Sequence, residues 1–242
     1  MLLIDLGTTR LKWALAAQGQ LREHGALAHG QEDFGMRWDS VLAQWQPRRA
    51  LLASVAPPRR CGQVAAALAR AGCQVERVGV QPQRPGLRIA YADPAQFGVD
   101  RWLGLIGALA QAPPPLLLVS CGTAVTVDLV DARGVHRGGW IAPSPTRMAQ
   151  AVRTRARHLP APDFAGEGFA SDSAAALGRG CEAAAAGLVE RAWRQAQALS
   201  DATPRLVLTG GDAAALARHL PMPATIEPSL VLQGLAVLSV PS

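Results

Sequence analysis

Leu2-Leu3-Ile4-Asp5-Leu6-Gly7-Thr8-Thr9 opens the chain, and Leu117-Leu118-Val119-Ser120-Cys121-Gly122-Thr123-Ala124 aligns with it without a gap. Each stretch is a short apolar run ended by a Gly-Thr turn. Each is followed by a second β-compatible run, Leu11 to Ala17 in the first case and Ala124 to Val130 in the second. Strand, tight turn, strand is thus written twice, at a period of about 115 residues, far too long for a solenoid. The repeat predicts an internal duplication: two similar lobes facing one another, spanning 1–112 and 113–242, with the boundary in Pro113-Pro114-Pro115.

The segments between the repeats alternate in type. Leu51 to Val55 reads as a strand, and Cys61 to Ala71 has helical spacing closed by Gly72. Pro94 to Ala112 opens with proline at a first helical position and carries Phe97, Leu103, Leu105, Ile106 and Leu109, which predicts one helix stopped by the triple proline. Downstream, Pro145 to His158 and Asp172 to Leu199 are Ala- and Arg-rich helical stretches, and Leu206-Val207-Leu208-Thr209-Gly210-Gly211-Asp212 is a strand running into a glycine turn and a helix. Mixed elements in this order predict an α/β fold.

Composition narrows the class. Of 242 residues, 49% are hydrophobic and 17% charged, a balance that excludes intrinsic disorder. The 26 uncharged residues between Arg101 and Asp128 are broken by the three prolines, so no continuous membrane-length span remains, and a soluble chain is expected. The start, Met1-Leu2-Leu3-Ile4-Asp5, lacks the basic region and cleavage site of a secretory signal, which points to the cytoplasm. Cys61, Cys73, Cys121 and Cys181 show no zinc spacing and are expected to be reduced. A net charge of +6 raises nucleic-acid binding as a class, but the basic residues are scattered arginines, with Lys12 the only lysine, so that class is disfavoured.

Asp5 at a strand end beside Gly7-Thr8-Thr9 places a carboxylate next to backbone N–H groups and hydroxyls that suit an anion, and Gly122-Thr123 repeats the geometry. Two such turns would grip one polyphosphate from opposite lobes; taken singly, each also reads as an ordinary hairpin turn. Neither turn fits a Walker or dinucleotide-binding pattern. Asp100, in Gly98-Val99-Asp100-Arg101, reads either as a surface ion pair with Arg101 or as a general base. Tyr91 reads as a core-edge residue or a ligand contact. Gly138-Gly139 and Gly210-Gly211 read as tight turns or as places where backbone passes close to a nucleotide. The five histidines show no ligand spacing and are expected on surfaces or loops.

Taken together, these segments resemble the type III pantothenate kinases of the acetate and sugar kinase, Hsp70 and actin superfamily. The resemblance rests on an ordered series: Asp5 to Thr9, Ser54-Val55-Ala56-Pro57, Tyr91-Ala92-Asp93-Pro94 with Gly98 to Arg101, Gly122 to Asp128, Gly138 to Pro143, and Thr209-Gly210-Gly211. It implies two actin-like, ribonuclease H-like lobes and transfer of the ATP γ-phosphoryl group to the 4′-hydroxyl of pantothenate, the first step of coenzyme A synthesis. It further implies that Asp5 holds Mg²⁺, and that Gly7, Thr8, Thr9, Lys12, Gly122 and Thr123 bind the nucleotide phosphates. By the same resemblance Gly210 and Gly211 would lie near adenosine, Asp100 would be the base, and Tyr91, Gly98, Val99 and Arg101 would line the pantothenate pocket. Members are homodimers in which a hydroxyl residue of the partner closes that pocket, and Ser173 looks equivalent.

Two positions depart from the family pattern. Thr8 stands where the first turn usually carries Asn, which keeps a hydrogen-bonding side chain. Ser120 stands where an aspartate usually contributes to the monovalent-cation site, which puts the K⁺ or NH4⁺ site in doubt. The family also includes accessory proteins of virulence regulation, so a non-catalytic regulatory role is the alternative expectation; Asp5, Asp100 and Arg101 favour the enzyme. A sugar or acetate kinase is disfavoured by Tyr91 and the Gly98 to Arg101 element.

Overall fold

The computed structural model describes residues 1–200 and 202–240, and the chain divides into two compact units. The first comprises Met1–Pro85, Tyr91–Ala112 and Ser229–Ser242; the second comprises Gly86–Ala90 and Pro113–Pro228. A single cut at 112/113 is therefore amended twice. A short segment before Tyr91 packs with the second unit, and the last helix returns to the first.

In the first unit, β1 (Leu2–Leu6), β2 (Arg10–Ala17) and β3 (Gln20–Ala28) form an antiparallel meander. Helix α1 (Phe34–Trp45) leads to β4 (Arg49–Ser54), and α2 (Pro58–Arg70) leads to β5 (Gln74–Arg77). The sheet order is β3-β2-β1-β4-β5, with β4 parallel to β1 and β5 parallel to β4. Every residue of β1 is buried, as a central strand covered on both faces requires. Pro58 sits where its missing N–H costs nothing, and Cys61, Val64, Ala67 and Leu68 give α2 its core-facing stripe. The two-residue strand β6 (Gln83–Arg84) follows, and β7 (Leu87–Arg88) falls in the second unit.

The expected helix over 94–112 is two elements. Pro94–Gln96 makes a single 3₁₀ turn capped by Asp93, whose carboxylate accepts from the Ala95 N–H at 3.0 Å; extended backbone at Phe97 then separates it from α3 (Val99–Gln111). Helix α3 packs on α7 (Leu230–Leu238), and both contribute small residues to the contact. A Cβ on Gly107 would strike the Leu230 carbonyl, and one on Gly234 would strike the Leu103 carbonyl, so the two backbones approach closer than any side chain permits.

The second unit repeats the plan. Strands β8 (Leu116–Cys121), β9 (Ala124–Val130) and β10 (His136–Pro143) form the meander. Helices α4 (Pro145–Arg155) and α5 (Ser173–Leu199) precede β11 (Arg205–Thr209), and α6 (Ala213–Ala217) precedes β12 (Thr225–Ile226). The order β10-β9-β8-β11-β12, with β11 parallel to β8 and β12 parallel to β11, matches the first sheet strand for strand. Asp172 caps α5 by accepting from the Ala175 N–H at 3.0 Å. The helix buries mainly small residues, among them Ala175, Gly178, Ala185, Ala186 and Ala192, against its unit's core.

Candidate active site

In the first unit the antiparallel register sets Asp5 directly opposite Lys12. Asp5 is 8% exposed, and burial pushes its carboxyl up from 3.8 to about 6; Lys12 opposes the rise and the charge of Asp100 adds to it. A carboxylate 95 positions away in sequence therefore bears on Asp5 in this unit. Beyond Asp5 the chain turns, with the Gly7 N–H donating to the Arg10 carbonyl at 3.0 Å and Thr8 and Thr9 exposed. His29 braces this turn. Its backbone N–H donates to the Thr9 carbonyl at 2.9 Å, its Nδ1 donates to the Thr8 carbonyl at 3.2 Å, and burial lowers its pKa.

Asp100 lies in the first turn of α3, half-buried, accepting from the Arg101 backbone N–H at 2.9 Å. A Cβ on Gly98 would come within 2.6 Å of the Asp100 carboxylate, so glycine makes room for the acid. Arg101 is 6% exposed, so its side chain is not a surface group. Its guanidinium lies 4.7 Å from the Phe97 ring centroid and donates to the Tyr91 hydroxyl at 3.2 Å, and the Tyr91 and Phe97 rings are 4.9 Å apart. The stack joins Tyr91, Phe97, Arg101 and the start of α3 into one corner. Val99 opens that helix beside them.

In the second unit, Ser120 pairs across the sheet with Thr126 on one side and Thr209 on the other. The Gly122 N–H donates to the Ala124 carbonyl at 3.0 Å, Gly122 is exposed, and nothing lies within 4 Å of where its Cβ would be. Gly210, at φ +98°, passes against the Cys121 carbonyl, which also accepts from the Asp212 N–H at 3.2 Å. Gly122 and the residues after Gly210-Gly211 thus border one place, a cavity of about 240 Å³ whose walls include Gly122, Ser144, Glu182, Asp212 and His219. Ser173 is exposed at the start of α5.

Two readings of the sequence need correction. Gly138 and Gly139 are not a turn beside this cavity but lie within β10, at an irregularity in its pairing with β9, and line a separate groove with Trp140. His136 is not a surface residue: it is fully buried, with Nε2 2.9 Å from Asp128 and Nδ1 accepting from the Ala90 N–H at 3.4 Å. Glu182 and Asp212 went unread as site residues, and His219, read as a surface or loop residue, lies in a turn at the cavity's edge. For Glu182 the signal was present: an acid in the buried stripe of α5, between Cys181 and Ala185.

The sequence profile of the type III pantothenate kinase family matches residues 1–195. A type III pantothenate kinase from Stenotrophomonas maltophilia strain R551-3 is 44% identical over 234 residues, covering 97% of this chain and 95% of that protein. A counterpart from Xanthomonas axonopodis pv. citri is 42% identical over the same span. Among solved structures, MreB5 of Spiroplasma citri bound to ADP covers 98% of this chain and 95% of its own, at 9% identity and a TM-score of 0.52, which shows the actin-like fold alone.

Proposed function

The chain belongs to the type III pantothenate kinase family, and we infer from that premise that it phosphorylates pantothenate with ATP in coenzyme A biosynthesis. The observation that carries the reading for this chain's own residues is the burial of the Asp5 carboxylate, whose ionisation the charge of Asp100 further opposes. A buried acid beside a second acid at the head of a helix is the pairing that phosphoryl transfer to an alcohol needs, one to meet a cation and one to take a proton.

Asp100 is the general base. It takes the proton of the pantothenate 4′-hydroxyl as that oxygen bonds to the γ-phosphorus, the bond to the β-phosphate oxygen breaks, and ADP leaves with the electron pair. Tyr91, Gly98, Val99 and Arg101 shape the pantothenate pocket, and the stack that locks Arg101 supports this by fixing where a buried cation meets a polar acceptor. Gly7, Thr8, Thr9 and Lys12 in the first unit, and Gly122 and Thr123 in the second, bind phosphate oxygens; Gly210 and Gly211 border the adenosine.

Asp5 fits a divalent cation, because burial and Asp100 both oppose its ionisation and a cation relieves both. Among the described residues no cluster of three or more His, Cys, Asp or Glu forms a complete metal site, so Mg²⁺ bound at Asp5 would draw its other ligands from phosphate and water. When bound, Mg²⁺ neutralises charge on the transferring phosphoryl group. Ser120 fits a monovalent cation poorly. It brings no charge, and although the β8–β9 hairpin sets Asp128 opposite Leu118, that carboxylate is taken by His136. Weak K⁺ dependence follows.

The enzyme is a cytoplasmic homodimer in which the partner subunit's Ser173 completes the pantothenate pocket. Among the described residues no helix is long and apolar enough to cross a membrane. The test is a panel of acceptors. Purified protein with MgATP is offered pantothenate, acetate or a hexose, with and without K⁺, and products are read by mass spectrometry. Phosphorylated pantothenate alone, with little gain from K⁺, is expected; a phosphorylated sugar or acetate, or no product from any acceptor, overturns the assignment.

A further inference from the structure

We propose that Glu182 is a specificity-determining residue of the second-unit cavity, its carboxylate accepting a hydrogen bond from the nucleoside part of the bound nucleotide. The inference rests on the kinase reading and goes beyond it, since no motif of the sequence singles out this position.

Glu182 is 8% exposed on a face of α5 otherwise made of Gly178, Cys181, Ala185, Ala186 and Val189. Burying a carboxylate among such residues is costly unless its oxygens are satisfied. Here Oε2 is buried without a hydrogen-bond partner; Nε2 of His219 stands 3.6 Å away, within reach of an ion pair when the ring is protonated but too long for a hydrogen bond. Both side chains border the cavity. A buried, unsatisfied acceptor facing a cavity selects a donor from whatever enters it.

The rest of the lining says what that ligand is. The same cavity reaches Gly122 and Asp212 at the two strand-end turns, so phosphates held at Gly122 and Thr123 leave the nucleoside in its interior. Val125, Phe164 and Leu216 supply apolar wall for a flat base. A carboxylate accepts and does not donate, so the partner is an N–H or O–H: the 6-amino group of adenine, or a ribose hydroxyl. A 6-oxo purine would present an acceptor to an acceptor.

Calorimetric titration of the full-length protein with ATP, ITP and 2′,3′-dideoxy-ATP distinguishes the two donors. The wild type is expected to bind ATP at least about tenfold more tightly than one analogue, ITP if the amino group is read and dideoxy-ATP if the hydroxyls are. Glu182→Ala should lose about tenfold in ATP affinity and bind that analogue as well as it binds ATP, while the KM for pantothenate moves less than twofold. Glu182→Gln keeps the side-chain shape, and if the alanine variant does not fold, narrowing of the same ratio by the amide decides. Unchanged ATP affinity in both variants, or equal weakening of all three nucleotides, overturns the proposal while leaving the kinase intact. Failure of the wild type to bind ATP overturns the kinase reading and this inference with it.

Discussion

Asp100 and Asp5, the proposed base and the proposed cation ligand, sit in different surroundings within the first unit. Asp100 is half-buried in the first turn of α3, where a carboxylate is favoured by the helix and accepts from the Arg101 N–H. Asp100→Asn keeps the shape but cannot take a proton, so kcat for pantothenate should fall about 10²-fold or more with ATP affinity little changed; steady-state kinetics and ATP titration check both parts. Asp5 is the opposite case. Its folded-state pKa of about 6 stands above the ordinary 3.8, so the folded protein holds this proton more tightly than the unfolded chain does. Stability without nucleotide or Mg²⁺ therefore falls as pH rises from about 4 to 6, and above that the penalty is constant, on the order of 3 kcal/mol. Asp5→Asn mimics the neutral acid. It should raise the thermal midpoint of the ligand-free protein at pH 7–8, show no gain near pH 4, and weaken MgATP use, all readable by thermal melts across pH and by the KM for ATP.

Helix α7 shows what element-scale packing adds. Residues Leu230–Leu238 close on α3 through Gly107 and Gly234, with each glycine against a backbone carbonyl of the other helix. Gly234→Ala should push the helices apart and cost about 2 kcal/mol, lowering the melting temperature by several degrees without changing which acceptor is phosphorylated. Much of the element order was legible, because buried strands such as Leu2–Leu6 and Leu116–Cys121 are apolar runs ended by glycine turns. What was not legible depended on partners distant in sequence. Pro94 looked like a helix start, but the Asp93 cap closes a separate 3₁₀ turn. His136 has no local signal for burial, because Asp128 and Ala90 reach it only once the sheet forms. The turns that carry Asp5, Gly7 and Gly122 were readable as strand ends, whereas Glu182 became a candidate only when the cavity at its side chain was visible.

At the scale of the whole molecule, the two five-stranded sheets share one strand order, so the repeat read from two eight-residue segments extends to the topology of both sheets. What differs between the copies is chemistry: Asp5 in one strand, Ser120 at the matching place in the other. The proposed homodimer makes its own prediction. Mixing Asp100→Asn chains with Ser173→Ala chains should restore some activity in mixed dimers, because one site then receives an intact base and an intact partner hydroxyl; assay after subunit exchange, verified by mass, reads this, and no recovery would place Ser173 outside the partner's site. The central claim is that γ-phosphoryl transfer to pantothenate is this chain's reaction, and the stoichiometry of ADP release tests it most directly. The account predicts one ADP per phosphopantothenate formed and negligible ADP without pantothenate. ADP release at the same rate with and without pantothenate would contradict it.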